Sequence, residues 1–148
     1  MFETAELGRK VAKQEYETQV PELRAQLLQA QFELRGADFP VIVVISGADG
    51  AGKGDTVKRL HEWLDPRGLE TQVFGPLTEE ERDRPPYWRF WRTLPPKGKI
   101  GIFFGSWYTD PIIGRVYGKL GKSRFERELA RVSFFEQMLV QEGALILK

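Results

Sequence analysis

The chain has 148 residues, 41% apolar and 29% charged, with a net charge of +1. That is one globular domain's worth of sequence, with no overall field to attract nucleic acid or a lipid surface. Cysteine is absent and His61 is the single histidine. Disulfides, thiol catalysis and zinc thiolate sites are excluded, and a histidine metal site or Ser/His pair is disfavoured. No apolar run approaches membrane-spanning length, and the opening Met1-Phe-Glu-Thr-Ala-Glu6 lacks a basic-then-apolar leader pattern. The expectation is a cytoplasmic protein without membrane or nucleic-acid partners.

In chain order, Val20, Leu23, Leu27, Ala30 and Leu34 recur at three-four spacing. This predicts an amphipathic helix from Val20 to Leu34, with Pro21 in its first turn and Gly36 as its stop. Val41-Ile-Val-Val-Ile45 reads as a strand buried on both faces. A glycine-rich segment follows, Gly47-Ala-Asp-Gly-Ala-Gly-Lys-Gly-Asp-Thr56, and a helical pattern continues to about Leu64. Thr71 to Phe74 reads as a second strand. Gly75 to Arg84 is a polar, acidic loop leading into a helix, and Tyr87-Trp-Arg-Phe-Trp-Arg92 carries an aromatic-basic pattern. Ile100 to Phe104 is a third buried strand. Pro111 to Leu120 and Ser123 to Gln141 are helices, the second capped by Gly143. Ala144 to Leu147 begins a fourth strand.

Alternating buried strands and helices predict an α/β three-layer sandwich with a mainly parallel sheet. Its parts are a helical segment over 1–36 and a phosphate-loop core over 40–148. A buried parallel strand is rarely a last element, so the fold is expected to continue beyond Lys148.

Strand, glycine loop, lysine and helix together form the context of a phosphate-binding loop. Gly47, Gly50, Ala51, Gly52, Gly54, Asp55 and Thr56 would crowd backbone N–H groups around an anion, and Lys53 would neutralise it. The hydroxyl residue that usually follows the lysine is replaced by Gly54. Asp49 inside the loop would repel phosphate unless a metal offsets it; otherwise it is a turn residue bonding its own backbone. Arg89 and Lys97, with Arg92 and Lys99, form a basic cluster that either tracks a polyanion or is a solvated face. Trp88, Phe90 and Trp91 could stack on a base, although such rings are more often core or interface anchors.

Three blocks carry a resemblance. They are Gly47-x-Asp49-x-x-Gly52-Lys53-Gly54; Trp88-Arg89 followed by Leu94-Pro-Pro-Lys-Gly-Lys-Ile-Gly-Ile-Phe103; and Ser106-Trp-Tyr108 followed by Arg115-Val116 with Gly118. In this order they resemble the polyphosphate kinase 2 family, and most of all the N-terminal half of its tandem-domain polyphosphate:AMP phosphotransferases. The opening six residues and the segment from Arg84 to Arg92 look like that half. The resemblance implies a P-loop kinase-like fold and phosphoryl transfer from polyphosphate to AMP, giving ADP. It implies magnesium, held in part by Asp49, with Asp49, Lys53 and Arg115 as catalytic residues. It further implies an arginine-rich lid beyond Lys148, and either a homo-oligomer or pairing with a second homologous domain. One departure stands out. The family usually has Asp-Arg or Asn-Arg before Ser-Trp-Tyr, where this chain has Phe104 and Gly105. The alternative is therefore a catalytically degenerate phosphate-binding or assembly domain. An ordinary ATP-dependent kinase is weaker still, because no hydroxyl follows Lys53.

Overall fold

A computed structural model describes residues 10–47 and 50–148. The opening six residues lie outside the described region. Helix α1 (Lys13–Leu34) leads into strand β1 (Val41–Ile45), and α2 (Lys53–Trp63) leads by a short 3₁₀ turn into β2 (Leu69–Val73). Two single-turn helices follow, α3 (Glu79–Arg82) and α4 (Trp88–Trp91). Then come β3 (Ile100–Phe104), α5 (Thr109–Val116), α6 (Lys122–Gln141) and β4 (Leu145–Leu147). Among the described residues no helix is long and apolar enough to cross a membrane.

The four strands form one all-parallel sheet in the order β2-β3-β1-β4. Alternation along β1 explains the two-sided core. Val41, Val43 and Ile45 pack with Leu34, Leu64 and Ile102 on the face covered by α1 and α2. Ile42 and Val44 pack with Phe90, Phe103, Trp107 and Phe135 on the face covered by α4 and α6. Continuous β-branched runs suit such a strand because both its faces are buried. The predicted three-layer arrangement is what forms.

Helix α1 begins seven residues before the predicted Val20, and Pro21 lies in its interior, not in its first turn. Residues 13–19 are exposed and carry no apolar stripe, so periodicity could not reveal them. What anchors α1 is its C-terminal third. The Gln31 side chain is only 3% exposed as a residue. Its amide donates to the Asp65 carbonyl at 2.9 Å and accepts from the Asp65 N–H at 2.7 Å. The Asp65 carboxylate pairs with Arg35 at 2.6 Å and Arg67 at 2.7 Å, tying α1 to the connection between α2 and β2.

This clamp has a pH dependence. Hydrogen bonds from the Arg67 side chain and backbone, its charge and Arg35 hold the Asp65 carboxyl well below the usual carboxylate range. A lowered folded-state pKa stabilises above the unfolded value, about 4, and that stabilisation is lost as pH falls below it. Asp65→Asn should therefore flatten the fall in melting temperature between about pH 5 and pH 2.5. A slope equal to that of the unmodified chain would show the clamp to be irrelevant.

Candidate functional site

Parallel strands bring their C-terminal ends to one rim, and here Val73, Phe104 and Ile45 lie side by side in register. The chain leaves β1 through α2 on one face of the sheet and leaves β3 through α5 and α6 on the other. The β1/β3 boundary is thus a topological switch point, where open α/β sheets form their ligand crevice. The glycine loop sits on that rim. Gly50 and Gly52 adopt left-handed φ angles of 80° and 81°, and Gly52 is the residue from which α2 starts. A side chain at either would be strained whatever the space around it. The Thr56 N–H donates to the Gly52 carbonyl at 2.9 Å, which leaves the earlier N–H groups of α2 without an intrahelical partner. Lys53 reaches back across the loop and donates to the Gly47 carbonyl at 2.6 Å. The rim therefore presents an ammonium group beside a positive helix end.

A cleft of about 640 Å³ opens beside the loop. Gly47 and Lys53 border one end, Ile45, Val73 and Phe104 line the rim, and Ile112 and Val116 of α5, with Tyr117 just after it, form a wall. A second cavity of about 370 Å³ lies between the α3–α4 segment and α5, lined by Arg82, Arg84, Arg89, Trp88 and Asp110 among others.

The predicted site residues separate into groups. Gly47, Gly50, Ala51, Gly52, Lys53, Gly54 and Asp55 lie together in the loop and the first turn of α2. Asp49 lies outside the described residues. The Thr56 hydroxyl donates to the Gly52 carbonyl at 3.1 Å, so it is satisfied within the helix and borders neither cavity. Arg115 is on α5, where it donates to the Leu120 carbonyl at 3.3 Å, outside the cleft lining.

Arg89 is not brought to the loop. Its side chain is 13% exposed and lies 3.2 Å from Glu81, without the alignment of a hydrogen bond at Nε. It also donates to the Gly75 carbonyl at 2.9 Å and stacks over Phe74. Lys97 lies farther from the loop. It precedes β3, at the opposite end of the sheet, and pairs with Asp38 at 2.6 Å. A five-residue strand separates it from the loop by roughly 16 Å. Spacing in sequence could not show that the basic cluster straddles two ends of the sheet.

Part of the aromatic block packs into the core. Phe90 is buried, and Phe135 is ringed by Tyr87, Trp91 and Trp107, with the Tyr87 ring stacked at 4.6 Å. Trp88 faces the guanidinium groups of Arg84 and Arg92.

Two features went unrecognised in the sequence. Glu136 accepts from Trp107 Nε1 and Tyr108 Oη, each at 2.9 Å, and pairs with Lys148 at 2.9 Å. It thereby fixes the turn that launches α5. Burial pushes the Tyr108 phenol up, and the hydrogen bond to Glu136 pushes Lys148 up. An acid one residue after Phe135, within the apolar stripe of α6, was the available signal. The other is the exposed apolar wall formed by Ile112, Ile113 and Val116 of α5 with Tyr117 after it, where the helical pattern alone gives no sign of a cleft.

Phe104 and Gly105 now have a structural account. Phe104 closes β3 on the face shared with Ile102 and lines the cleft. Gly105 has φ 81°, and a Cβ there would sit 2.7 Å from the Phe74 carbonyl oxygen. The position usually given to arginine therefore has no room for a side chain. Among the described residues no three His, Cys, Asp or Glu side chains gather, and the Phe104 ring lines the rim; Asp49, the expected magnesium ligand, lies outside them.

Residues 10–148 match the family model described as polyphosphate kinase 2. The chain belongs to the polyphosphate kinase 2 family. It is 52% identical to the polyphosphate:AMP phosphotransferase of Pseudomonas aeruginosa, covering 100% of this chain and 30% of that protein. It is 32% identical to the GDP-polyphosphate phosphotransferase of Mycobacterium tuberculosis, covering 95% of this chain and 48% of the relative. The fold superposes on a polyphosphate kinase 2 crystal structure from P. aeruginosa with a TM-score of 0.90 at 52% identity, over 99% of this chain and 32% of that one. A polyphosphate kinase 2 from Arthrobacter aurescens gives 0.86 at 28% identity, over 96% and 52%. The chain thus spans between about a third and half of the lengths of these relatives.

Proposed function

We propose that this domain serves phosphoryl transfer between inorganic polyphosphate and a nucleotide, with AMP as acceptor and ADP as product. The observation that carries the reading is the glycine loop with Lys53 at the β1/β3 switch point, in a chain whose relatives are named for that transfer. In such a reaction an AMP phosphate oxygen attacks the terminal phosphorus of polyphosphate. The bridging P–O bond breaks, and the shortened polyphosphate leaves with the electron pair. Loop N–H groups hold non-bridging oxygens and Lys53 offsets their charge, the positioning and electrostatic work that dominates this chemistry. Arg115 would contribute only by exchanging the Leu120 carbonyl for a phosphate. Magnesium, if required, depends on Asp49 and on the substrate's own oxygens. The proposal includes a cytoplasmic setting, and either a homo-oligomer or pairing with a second homologous domain.

A second reading rests on Phe104 and Gly105: a domain that binds phosphate and leaves chemistry to a partner domain. Incubation of the 148-residue chain with AMP, magnesium and polyphosphate separates the two. ADP formation that vanishes in Lys53→Ala and Asp49→Ala establishes turnover. Absence of ADP, with phosphate binding that still depends on Lys53, establishes the second reading. Absence of both removes the two together.

A further inference from the structure

Helix α1 reaches well beyond the part that the domain body covers. Its C-terminal third carries Gln31 and Leu34 into the core, but from Lys13 to Ala30 every residue is exposed except the half-buried Val20 and Leu27. That stretch is roughly 27 Å long at about 1.5 Å per residue. Along it Tyr16, Val20, Leu23, Leu27, Ala30 and Leu34 recur four and three residues apart, which keeps them on one stripe. Leu34 and, in part, Leu27 use the stripe to pack on the sheet. Nearer the start it is open, with Tyr16 43% and Leu23 48% exposed. A solvent-facing helix needs no such seam, whereas a seam of this spacing is what one helix offers another. The flanks add charge. Glu17 and Arg24 border one side of the stripe, too far apart to meet within one helix. Glu17 has an exposed contact with Lys13 at 3.7 Å, of a kind worth little. Gln19 and Gln26 border the other side and donate to Glu15 and Glu22 at 3.3 and 3.1 Å. Pro21 lies on the side away from the stripe.

We propose that α1 pairs with α1 of a second copy of this chain, antiparallel, along the seam from Tyr16 to Leu27. In that register Tyr16 of one copy meets Leu27 of the other, and Val20 meets Leu23. Glu17 then faces Arg24 and Gln19 faces Gln26, each pairing made twice by the two-fold axis. The charges decide the direction. A parallel pair would keep Glu17 and Arg24 apart and crowd both domain bodies to one end, since each body holds the C-terminal third of its own α1. The antiparallel pair sets the bodies at opposite ends. None of these residues belongs to the glycine loop or lines either cavity. The pairing therefore stands apart from the transferase reading and names the surface of the homo-oligomer.

Sedimentation equilibrium of the 148-residue chain tests this. It should show monomer–dimer exchange with a dissociation constant on the order of 10–100 μM, weak because the seam is short. Leu23→Glu, at an exposed position, should raise that constant at least about tenfold by setting a charge in the seam, with the melting temperature little changed. Glu17→Arg and Arg24→Glu should each weaken the dimer about fivefold, and the chain carrying both should recover to within about twofold. That mutual rescue is the signature of the antiparallel register. Phe32→Ala removes a ring that is 61% exposed on another face of the same helix, and should leave the dimer unchanged. A chain that stays monomeric at about 500 μM overturns the proposal and leaves the stripe to a surface of some other protein. A dimer that survives Leu23→Glu, or that Phe32→Ala weakens equally, overturns it too. Charge reversals that do not rescue one another overturn the register.

Discussion

Replacing Gly105 by arginine, the residue that the resemblance leads one to expect there, should destabilise the chain by about 2–4 kcal/mol and not improve it. Two costs combine. The left-handed backbone at φ 81° costs a non-glycine residue about 1 kcal/mol or more. The added Cβ would lie 2.7 Å from the Phe74 carbonyl oxygen, a backbone atom that cannot rotate away. That carbonyl belongs to the residue after β2, and the Gly105 N–H itself donates to Ile45 O at 3.1 Å. Relief would therefore have to displace the sheet rim. Because the offending atom is the Cβ, Gly105→Ala should show most of the loss. Chemical denaturation of the three chains measures it, and a Gly105→Arg chain as stable as the original would refute the steric argument.

The second large effect is expected at Lys53. Its ammonium group is bonded to the Gly47 carbonyl across the loop, in the first turn of α2. Lys53→Ala should weaken binding of a phosphate ligand about 10- to 100-fold, from the roughly 1.5–3 kcal/mol of one charge-assisted hydrogen bond. The difference should shrink as salt is raised, because exposed charges are screened. Thermal stability should change little. Binding unchanged at low salt would place the phosphate somewhere other than this loop.

How far the sequence foretold these sites depends on the kind of signal. The sheet was readable because Val41–Ile45 and Ile100–Phe104 are continuous apolar runs, as strands buried on both faces must be. The loop was readable because glycine and lysine spacing follows from local backbone needs. Three-dimensional assignments were harder. Arg89 and Lys97 lie eight residues apart in sequence, yet one closes on Glu81 and the other on Asp38. Composition gives charge but not the partner that neutralises it. At Gly105 the sequence shows only a departure from the family pattern, and the packing against Phe74 shows the steric demand. The early start of α1 was hidden because a solvent-facing helical segment has no apolar period to display.

The pairing order of the sheet has a consequence for how the loop comes into being. β1, which precedes the loop, has both its neighbours far downstream: Val41 pairs with Ile100 on one side and Leu145 on the other. The glycines are synthesised early, but no strand exists to hold β1 straight until β3 has emerged and its long intervening segment has been closed into place. Closing such non-local pairings is an entropic cost met before they return any stability. The anion cradle is therefore expected to acquire its shape only once β3 has paired with β1. Segments ending before β3 should carry all of the loop's residues and none of its geometry.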